Sequence, residues 1–232
     1  MNILKAATLL APLLLAGCEI HEGGPPRSRS QIVELQGAER VHAELHMAAG
    51  VLRVSGGAKP LLDANFRTNF PRLPDVKYDV SIGRGRLIIG GQKSMVGGDL
   101  ENEWNLKFTD EVPLELEVHL GAGENRLELA TLDLRSVEVH MGVGELQMDL
   151  TGNYRRNVDV TVKGGIGEAT LRLPRNVGVI AEARGGIGNI SARGGLRKHD
   201  DRWVNDAYDK AKIVMRVEVH GGIGSINLVG AE

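Results

Sequence analysis

The chain has 232 residues, a formal net charge of −2, 31 glycines, one cysteine and only two Trp, three Tyr and three Phe. The charge excludes the basic surface that nucleic-acid binding requires, and a single cysteine excludes both an internal disulfide and a four-cysteine zinc site. The length is enough for one or two domains with a real core.

The N-terminus has the parts of an export signal. Lys5 provides a short positive start, and an apolar run follows from Ala6 to Leu15 before the small residues Ala16 and Gly17. A run of this length is too short to span a bilayer, which takes about 20 residues, but it is typical of the central region of a signal peptide. We therefore predict that residues 1–17 are a signal peptide.

The only cysteine directly follows this segment. Leu15-Ala16-Gly17-Cys18 resembles a bacterial lipobox, in which the thiol receives a diacylglyceryl group and cleavage leaves the cysteine as the first residue. A thiolate is well suited to such alkylation, and two or more acyl chains, such as palmitate, anchor a protein stably. The resemblance implies lipidation at Cys18 and a place on a bacterial cell membrane or outer membrane, facing the periplasm or the exterior. The alternative is a buried structural cysteine in an uncleaved leader.

A polar segment separates this anchor from the rest of the chain. Residues 18–30 read "CEIHEGGPPRSRS", with Gly-Gly, Pro-Pro and almost no apolar residue. Such a composition is typical of a tether. We predict one folded domain over residues 31–232.

A repeat fills that domain. Each unit consists of a strand pattern, a Gly-x-Gly turn and a second strand pattern, as in "SVEVHMGVGELQMDL" from Ser136 and "VDVTVKGGIGEATLRL" from Val158. Five units are regular (residues 102–232) and two are weaker (residues 31–101). The second glycines of the turns are Gly50, Gly85, Gly123, Gly144, Gly167, Gly188 and Gly224.

Apolar and polar residues alternate on both sides of each turn, which indicates strands with one buried face. In the fourth unit this predicts a core of Val137, Val139, Leu146 and Met148 and an outer face of Glu138, His140 and Gln147. Units this small cannot bury their own apolar face, so they are expected to stack. The sequence predicts an all-β fold, a single β-solenoid of about seven Gly-x-Gly coils with inserted connectors. A β-sandwich of hairpins is the alternative.

The glycines themselves invite a nucleotide-binding interpretation. A phosphate-binding Gly-x-Gly turn needs a helix after it, whereas every turn here leads into another alternating strand. We therefore predict structural glycines that permit a positive φ or a close backbone approach at a corner.

Two sets of outward residues are candidates for chemistry. Four residues before each second glycine stand mostly histidine or a cation, and His119 and His140 are expected to stack as neighbours about 4.8 Å apart. This row predicts a metal site, an anion site or, preferably, a solvated polar ladder. Outward glutamates leave open a glycosidase-like pair, although most aromatic residues lie in connectors rather than beside them. The members are His46, Ser81, His119, His140, Lys163, Arg184 and His220 in the row, and Glu115, Glu117, Glu124, Glu138, Glu145 and Glu168 among the carboxylates.

Several motifs occur in an order that is similar to the toast-rack proteins, which include domains related to the C-terminal region of cell-wall-active antibiotic response proteins. They are "VPLELEVHLGAGENRLEL", "SVEVHMGVGELQMDL", "VKGGIGEATLRLP", "GGIGNISARGGLRK", "WVNDAYDKAK" and "VEVHGGIGSINL", between Asn102 and Leu228. The resemblance implies a solenoid-like stack of strands at the bacterial envelope. It carries over no catalytic residue. Some relatives that sense or regulate envelope stress have membrane-spanning segments, whereas this chain has a lipobox.

The insertion from Arg193 to Lys212 contains two of the scarce aromatic residues, Trp203 and Tyr208. A terminal coil leaves apolar side chains and strand edges open to water. We expect this insertion to cap the coil that contains Val217 and Leu228, or else to present its aromatic rings as a partner-binding tip.

These features predict a non-enzymatic envelope lipoprotein with no cofactor and no metal, held to the membrane by its lipid and binding an unidentified envelope protein or polymer. The alternative is an enzyme that acts on envelope polysaccharide through the outward carboxylates.

Overall fold

The computed structural model describes residues 21–22, 24–91, 96–97 and 101–231. All of its regular structure is β-strand, and one 13-stranded sheet takes in every strand except the short pair β1 (His21–Glu22) and β7 (Val96–Gly97). Among the described residues there is no helix long and apolar enough to cross a membrane. The predicted signal peptide and Cys18 lie outside the described residues.

Six long strands form the body of the molecule, and each contains one turn unit, which is Gly-x-Gly in five of them and Ala48-Ala49-Gly50 in β3. They lie parallel in the spatial order β3, β9, β10, β11, β15, β12. We call each of them a rung. Their bounds are Arg40–Ser55 (β3), Leu114–Glu128 (β9), Leu134–Asp149 (β10), Val158–Leu173 (β11), Gly178–Arg193 (β12) and Val214–Gly230 (β15).

Each rung folds around the core at its Gly-x-Gly unit. In β10 Val137, Val139 and Met141 are buried before the unit and Leu146 and Met148 are buried after it, so the alternation of buried and outward residues changes phase at the unit. Both arms of the rung contribute to one hydrophobic cluster. The rungs are therefore bent strands, stacked in register, which confirms the solenoid and excludes the sandwich of hairpins.

A seventh level closes the N-terminal end, in two parts. Strand β6 (Arg84–Gly90) pairs in parallel with the first arm of β3, and β8 (Asn102–Phe108) pairs in parallel with its second arm. The expected alignment of Gly85 with Gly50 is wrong, because Gly85 lies opposite Val41. The reason is a tight hairpin: β5 (Asp75–Ser81) returns as β6 through a two-residue turn with positive φ at Ile82 and Gly83.

The edge beyond this level contains residues that composition assigned to the tether. Strand β2 (Arg27–Val33) pairs with β4 (Leu62–Thr68), which in turn pairs with β8. Arg27 Nη2 also donates to the carbonyl oxygen of Phe70 at 2.6 Å. The sheet therefore begins at Arg27, before the predicted boundary at residue 31, because backbone pairing on an edge strand does not require apolar side chains.

The C-terminal end has an unexpected strand order. The last rung in sequence, β15, lies between β11 and β12, so β12 is the terminal rung. Four connecting residues, 174–177, separate β11 from β12, and they easily span two strand spacings of about 4.8 Å each.

The insertion caps this terminal rung. Strand β14 (Arg202–Val204) pairs antiparallel with β12 and β13 (Arg197–His199) pairs with β14. Trp203 is half-buried and lies opposite Ala181. The predicted cap on the coil of Val217 is therefore wrong in its target: β12 covers that coil, and the insertion covers β12.

Asn205 fixes the cap. Its side chain accepts from Val179 N at 2.9 Å and donates to the carbonyl oxygens of Pro174 at 3.2 Å and Val177 at 2.8 Å. Sequence reasoning looked at the aromatic rings and missed this buried amide, which no periodic pattern marks.

Candidate functional site

The second glycines of the turn units lie at the corners of the rungs, where they stack into a column and share one backbone geometry. Gly123, Gly144, Gly167 and their equivalents have φ between +134° and +149°. A Cβ on Gly144 would lie 1.9 Å from the carbonyl oxygen of Gly123 on the next rung, and one on Gly167 would lie 1.7 Å from that of Gly144. Both the positive φ and the close approach exclude any other residue, which supports the structural interpretation of the repeat.

Two columns of polar side chains run along the outer face of the first arm. In stacking order the first contains Glu44, Glu117, Glu138, Thr161, Glu218 and Glu182, and the second contains His46, His119, His140, Lys163, His220 and Arg184.

The imidazoles stack as predicted, and His46 joins them. The ring centroids of His46 and His119 are 4.7 Å apart with planes 4° from parallel, and those of His119 and His140 are 4.9 Å and 6°. The Nε2 atoms of His119 and His140 lie 2.6 and 2.8 Å from carboxylate oxygens of Glu117 and Glu138 on the same strand. The described residues contain no group of three or more His, Cys, Asp or Glu placed to hold a metal ion.

Several outward carboxylates are paired with donors. Lys163 Nζ donates to Glu138 at 3.0 Å, and this hydrogen bond, with His140 and both positive charges, lowers the pKa of Glu138 in spite of partial burial. Burial would raise the pKa of Glu44, but the hydrogen bond and charge of Arg86 together with His42 and His46 outweigh it and lower this pKa too. A glycosidase needs a general acid with a raised pKa, so these two glutamates are tuned in the wrong direction.

Aromatic residues do not line the outer face either. All eight lie within described segments, and each is buried or half-buried. Phe66 and Trp104, for example, pack edge to face in the core with centroids 5.6 Å apart. The sugar-stacking surface that the polysaccharide alternative needs is missing from the described part of the chain.

A polar hollow lies at the N-terminal end of the outer face. It has a volume of about 1070 Å³ between the first arm of β3 and the β5–β6 turn, and its lining includes Glu44, Glu115, Arg86 and Arg135. Arg86 Nη2 donates to Glu44 Oε1 at 2.8 Å, and Arg135 Nε lies 3.3 Å from Glu115 Oε1. These two pairs are therefore already formed, and the hollow is also lined by Glu39, Arg40, Asp79 and Arg84.

The corner at the C-terminal half differs in character, because it exposes apolar side chains. The middle residue of each Gly-x-Gly unit stacks on its neighbour, and four of these residues form what we call the apolar stripe: Val143 (49% exposed), Ile166 (50%), Ile223 (50%) and Ile187 (73%). Contiguous exposed apolar residues on a soluble surface mark interaction sites.

A narrow apolar cavity of about 60 Å³ lies beside the stripe. Its lining includes Gly164, Gly221 and Gly185, the stripe residues Ile166 and Ile223, and core residues of both arms such as Val162 and Ile226. We call it the corner groove. Sequence reasoning missed it, although the triplet Gly-Gly-Ile repeated in three units was a visible signal.

Comparison with known proteins agrees with this architecture. The profile described as "N-terminal domain of toast_rack, DUF2154" matches residues 22–172, which extends the resemblance into the weaker N-terminal repeats. A crystal structure of a candidate cell adhesion protein from Clostridium sporogenes superposes with a TM-score of 0.85 at 34% identity, covering 89% of this chain and 100% of that one. No match was found among curated proteins.

Two further crystal structures are much less similar. A candidate adhesin from Bacteroides fragilis has a TM-score of 0.32 at 12% identity, covering 90% of this chain and 100% of its own, and a candidate lipid-binding protein from Parabacteroides distasonis has 0.28 at 11%, covering 91% and 100%. Scores this low carry no argument about function. The profile match, the Clostridium structure and the stacked rungs together establish that the chain belongs to the toast-rack family.

Proposed function

We propose that the protein is a non-enzymatic envelope lipoprotein that binds a partner with its C-terminal corner. In this proposal the lipid on Cys18 holds it to a bacterial cell membrane or outer membrane, with the rungs facing the periplasm or the exterior. The residues between Cys18 and the edge strand β2, which begins at Arg27, would join the lipid to the sheet.

The observation that carries the binding function is the apolar stripe. Fully burying a fully exposed isoleucine contributes about 1.5–3 kcal/mol. The four side chains of the stripe are 49–73% exposed, so each offers a partner part of that free energy. The polar columns beside it have their charges largely paired and offer less, since exposed ion pairs contribute little.

The described surface supports the enzymatic alternative less well. Glu44, Glu117 and Glu138 are held by histidine, arginine or lysine, and the two outward glutamates whose pKa is shifted, Glu44 and Glu138, are both poorer proton donors than an ordinary glutamic acid. The similarity to a candidate cell adhesion protein favours the binding function instead, with a component of the cell envelope or of another cell surface as the partner.

Two experiments in the native host test the proposal. First, Cys18→Ser is expected to release the protein from the membrane fraction after a high-salt wash. If the variant stays with the membrane, the lipid anchor is wrong.

Second, a photocrosslinking residue at Ile187 is expected to capture a specific partner that the same residue at Ile82 does not. Ile82 is a matched control because it is exposed (96%) but lies in the β5–β6 turn, away from the stripe. Equal capture at both positions contradicts a binding role for the stripe.

A further inference from the structure

A row of polar side chains crosses the outer face formed by β2, β4, β8 and the second arms of the six rungs. Nine paired residues, one from each strand, lie side by side from β2 at the N-terminal edge to β12. At about 4.8 Å per strand the row is roughly 38 Å long. We call these residues the polar row, which in spatial order contains Ser30, Asn65, Asn105, Arg53, Arg126, Gln147, Thr170, Asn227 and Ser191.

The polar row has a uniform chemistry that the rows beside it lack. It contains only hydroxyl, amide and guanidinium groups, with no carboxylate and no apolar side chain. The rows two residues to either side mix carboxylates with apolar residues, such as Glu145 and Val51 on one side and Asp149 and Val229 on the other. Copying of the repeat does not explain the uniformity, because β2, β4 and β8 contain no turn unit and still continue the row.

Folding stability does not require this row either. Arg53 and Arg126 lie directly opposite each other on β3 and β9, and like charges in that position are destabilising. Asn105 is exposed and has no side-chain hydrogen bond in the described part of the chain, and Gln147 is exposed and donates only to Glu145 Oε1, at 2.6 Å. Since a side-chain amide has two N–H donors and an oxygen that accepts twice, both amides retain capacity for a ligand.

Three shallow hollows follow one another along the row. The first, of about 420 Å³, is lined by Asn65, Asn105, Arg53 and Arg126, the second, of about 170 Å³, by Arg53, Arg126 and Gln147, and the third, of about 230 Å³, by Arg126, Gln147 and Thr170. Because consecutive hollows share lining residues, they form one continuous depression, which we call the trough. Over the six strands from β4 to β11 the trough is roughly 24 Å long.

The charges that line the trough disfavour a charged polymer of either sign. Six carboxylates and four cations line it, namely Asp63, Glu124, Glu128, Glu145, Asp149 and Glu168, and Arg53, Lys107, Arg126 and Arg172. The excess of carboxylates disfavours nucleic acids and polyanionic polysaccharides. The two arginines at the centre of the row disfavour a polycation in turn. An uncharged ligand therefore fits the trough best.

An uncharged polysaccharide has the matching chemistry. Each sugar hydroxyl both donates and accepts, so it can bond to the amides, guanidinium groups and carboxylates that line the trough. An extended β-linked chain has a sugar repeat similar in length to one strand spacing, so successive sugars meet successive strands. A protein partner fits less well, because no exposed aromatic or apolar side chain lines the trough, and such side chains dominate binding at protein interfaces.

From these features we propose that the trough binds an extended, uncharged polysaccharide chain, which lies along the polar row and perpendicular to the strands. Asn105 and Gln147 donate to and accept from sugar hydroxyls, and Arg53 and Arg126 donate to sugar oxygens. No aromatic ring stacks on the sugars, so water-exposed hydrogen bonds hold them and each sugar binds weakly. The affinity therefore depends on the number of sugars bound. The trough shares no lining residue with the apolar stripe, so this binding surface is additional to the one in the proposed function.

The test is calorimetric titration with cellohexaose of the chain as its host processes it, purified in a mild detergent. We expect saturable binding with a dissociation constant in the submillimolar range. Cellobiose covers only part of the trough and is expected to bind at least tenfold more weakly. Maltohexaose has the same sugars in a coiled chain, and a hyaluronan hexasaccharide has an extended chain with carboxylates. Both are expected to bind at least tenfold more weakly than cellohexaose.

Variants then locate the site. Asn105→Ala combined with Gln147→Ala removes two exposed amides and is expected to weaken cellohexaose binding at least tenfold with little change in melting temperature. Thr170→Val removes one hydroxyl from the trough and is expected to weaken binding about threefold, the loss of part of one hydrogen bond. Thr161→Val is the matched control, because Thr161 is also half-buried on β11 but lies on the outer face of the first arm. It is expected to leave binding unchanged.

Four results would overturn the proposal. The first is no saturable binding of cellohexaose, and the second is binding that neither the double variant nor Thr170→Val weakens. The third is equal binding of cellohexaose and maltohexaose, which means that no extended chain lies along the row. The fourth is a dimer in sedimentation experiments that the double variant dissociates, which makes a second copy of the chain the occupant. None of these results affects membrane release of Cys18→Ser or the crosslinking comparison, so the two proposals fail separately.

Discussion

The two halves of the stack place their apolar side chains differently at the same corner. The first three rungs read "HMAAG", "HLGAG" and "HMGVG", and the other three read "KGGIG", "HGGIG" and "RGGIG". In the first half a large residue fills the inside of the corner and a smaller one, Ala49, Ala122 or Val143, lies at the tip. In the second half the inward residue is glycine, with Ile226 and Ile190 of the other arm beside Gly221 and Gly185, and isoleucine lies at the tip.

This difference runs against folding stability. An unfilled cavity and an exposed isoleucine each lower the free energy of unfolding relative to a packed corner. Local departures from good packing in an otherwise consistent fold tend to lie at functional sites. The comparison teaches that one repeat architecture can pack its corner in two ways, with a large inward side chain in the first half and with an exposed isoleucine at the tip in the second.

The largest expected effect distinguishes the two kinds of glycine within one strand. Gly167→Ala forces a side chain into φ +143° and places Cβ 1.7 Å from the Gly144 carbonyl oxygen, so we expect a loss of more than about 4 kcal/mol or failure to fold. Gly164→Ala has room and an ordinary φ and is expected to stabilise by about 0.4–1 kcal/mol. Chemical denaturation measures both. Similar losses in the two variants would refute the distinction.

The next prediction turns a first-half corner into a second-half corner. Met141→Ala empties a position that is 7% exposed, and we expect it to lower the free energy of unfolding by about 2–5 kcal/mol. Ile166→Ala, at the exposed tip, is the matched control and is expected to cost less than about 1 kcal/mol. Urea unfolding compares them. If the two variants lose the same free energy of unfolding, the filled corner of the first half does not stabilise the protein more than the exposed tip of the second half does.

A smaller effect concerns an irregular residue of the first half. Asn125 occupies an inward position where its neighbours are Leu52 and Leu146. Its Nδ2 donates to the carbonyl oxygen of Glu145 at 3.2 Å, but its Oδ1 is buried without a hydrogen-bond partner. Since an unsatisfied buried polar atom is destabilising, Asn125→Leu is expected to raise the free energy of unfolding by about 1 kcal/mol.

Thermal and urea unfolding measure this gain, and Asn125→Asp is the control. The aspartate would bury a charge and is expected to destabilise strongly. A leucine variant that is less stable than the natural chain would mean that the hydrogen bond to Glu145 outweighs the unsatisfied oxygen.

The smallest effect tests the boundary between the halves, where Lys163 of β11 meets Glu138 of β10. The folded pKa of Glu138 is lowered, chiefly by this hydrogen bond, from an ordinary value of 4.5. Its contribution to stability is therefore present above pH 4.5 and is lost as the pH falls through the lower folded pKa. Partial exposure keeps the contribution small.

Lys163→Gln is expected to move the pKa of Glu138 back toward 4.5, measured by NMR titration of the carboxyl group. Arg172→Gln, a more distant exposed cation on the same strand, is expected to leave it unchanged. A Glu138 titration that does not respond to Lys163→Gln would show that the ion pair is not formed in solution.

Much of the stack follows from the sequence because its determinants are local. Period-two alternation determines which side chains enter the core, and the predicted core residues Val137, Val139, Leu146 and Met148 are all buried. The register of the rungs follows as well, because each corner glycine with positive φ packs against the corner glycine of the neighbouring rung. The histidine stack then follows from register alone.

Only the tertiary structure decided the order of the rungs, the ends of the stack and the groove. The units "KGGIG", "RGGIG" and "HGGIG" bury the same face with the same period, so any of them fits beside any other. In the structure β15 lies between β11 and β12, and the four-residue connector 174–177 is held by a hydrogen bond from Asn205 to the carbonyl oxygen of Val177. Gly85 followed the repeat in sequence but not in space, because the turn at Ile82 and Gly83 reversed the chain. The groove likewise exists only because three inward glycines, distant in sequence, stack as neighbours.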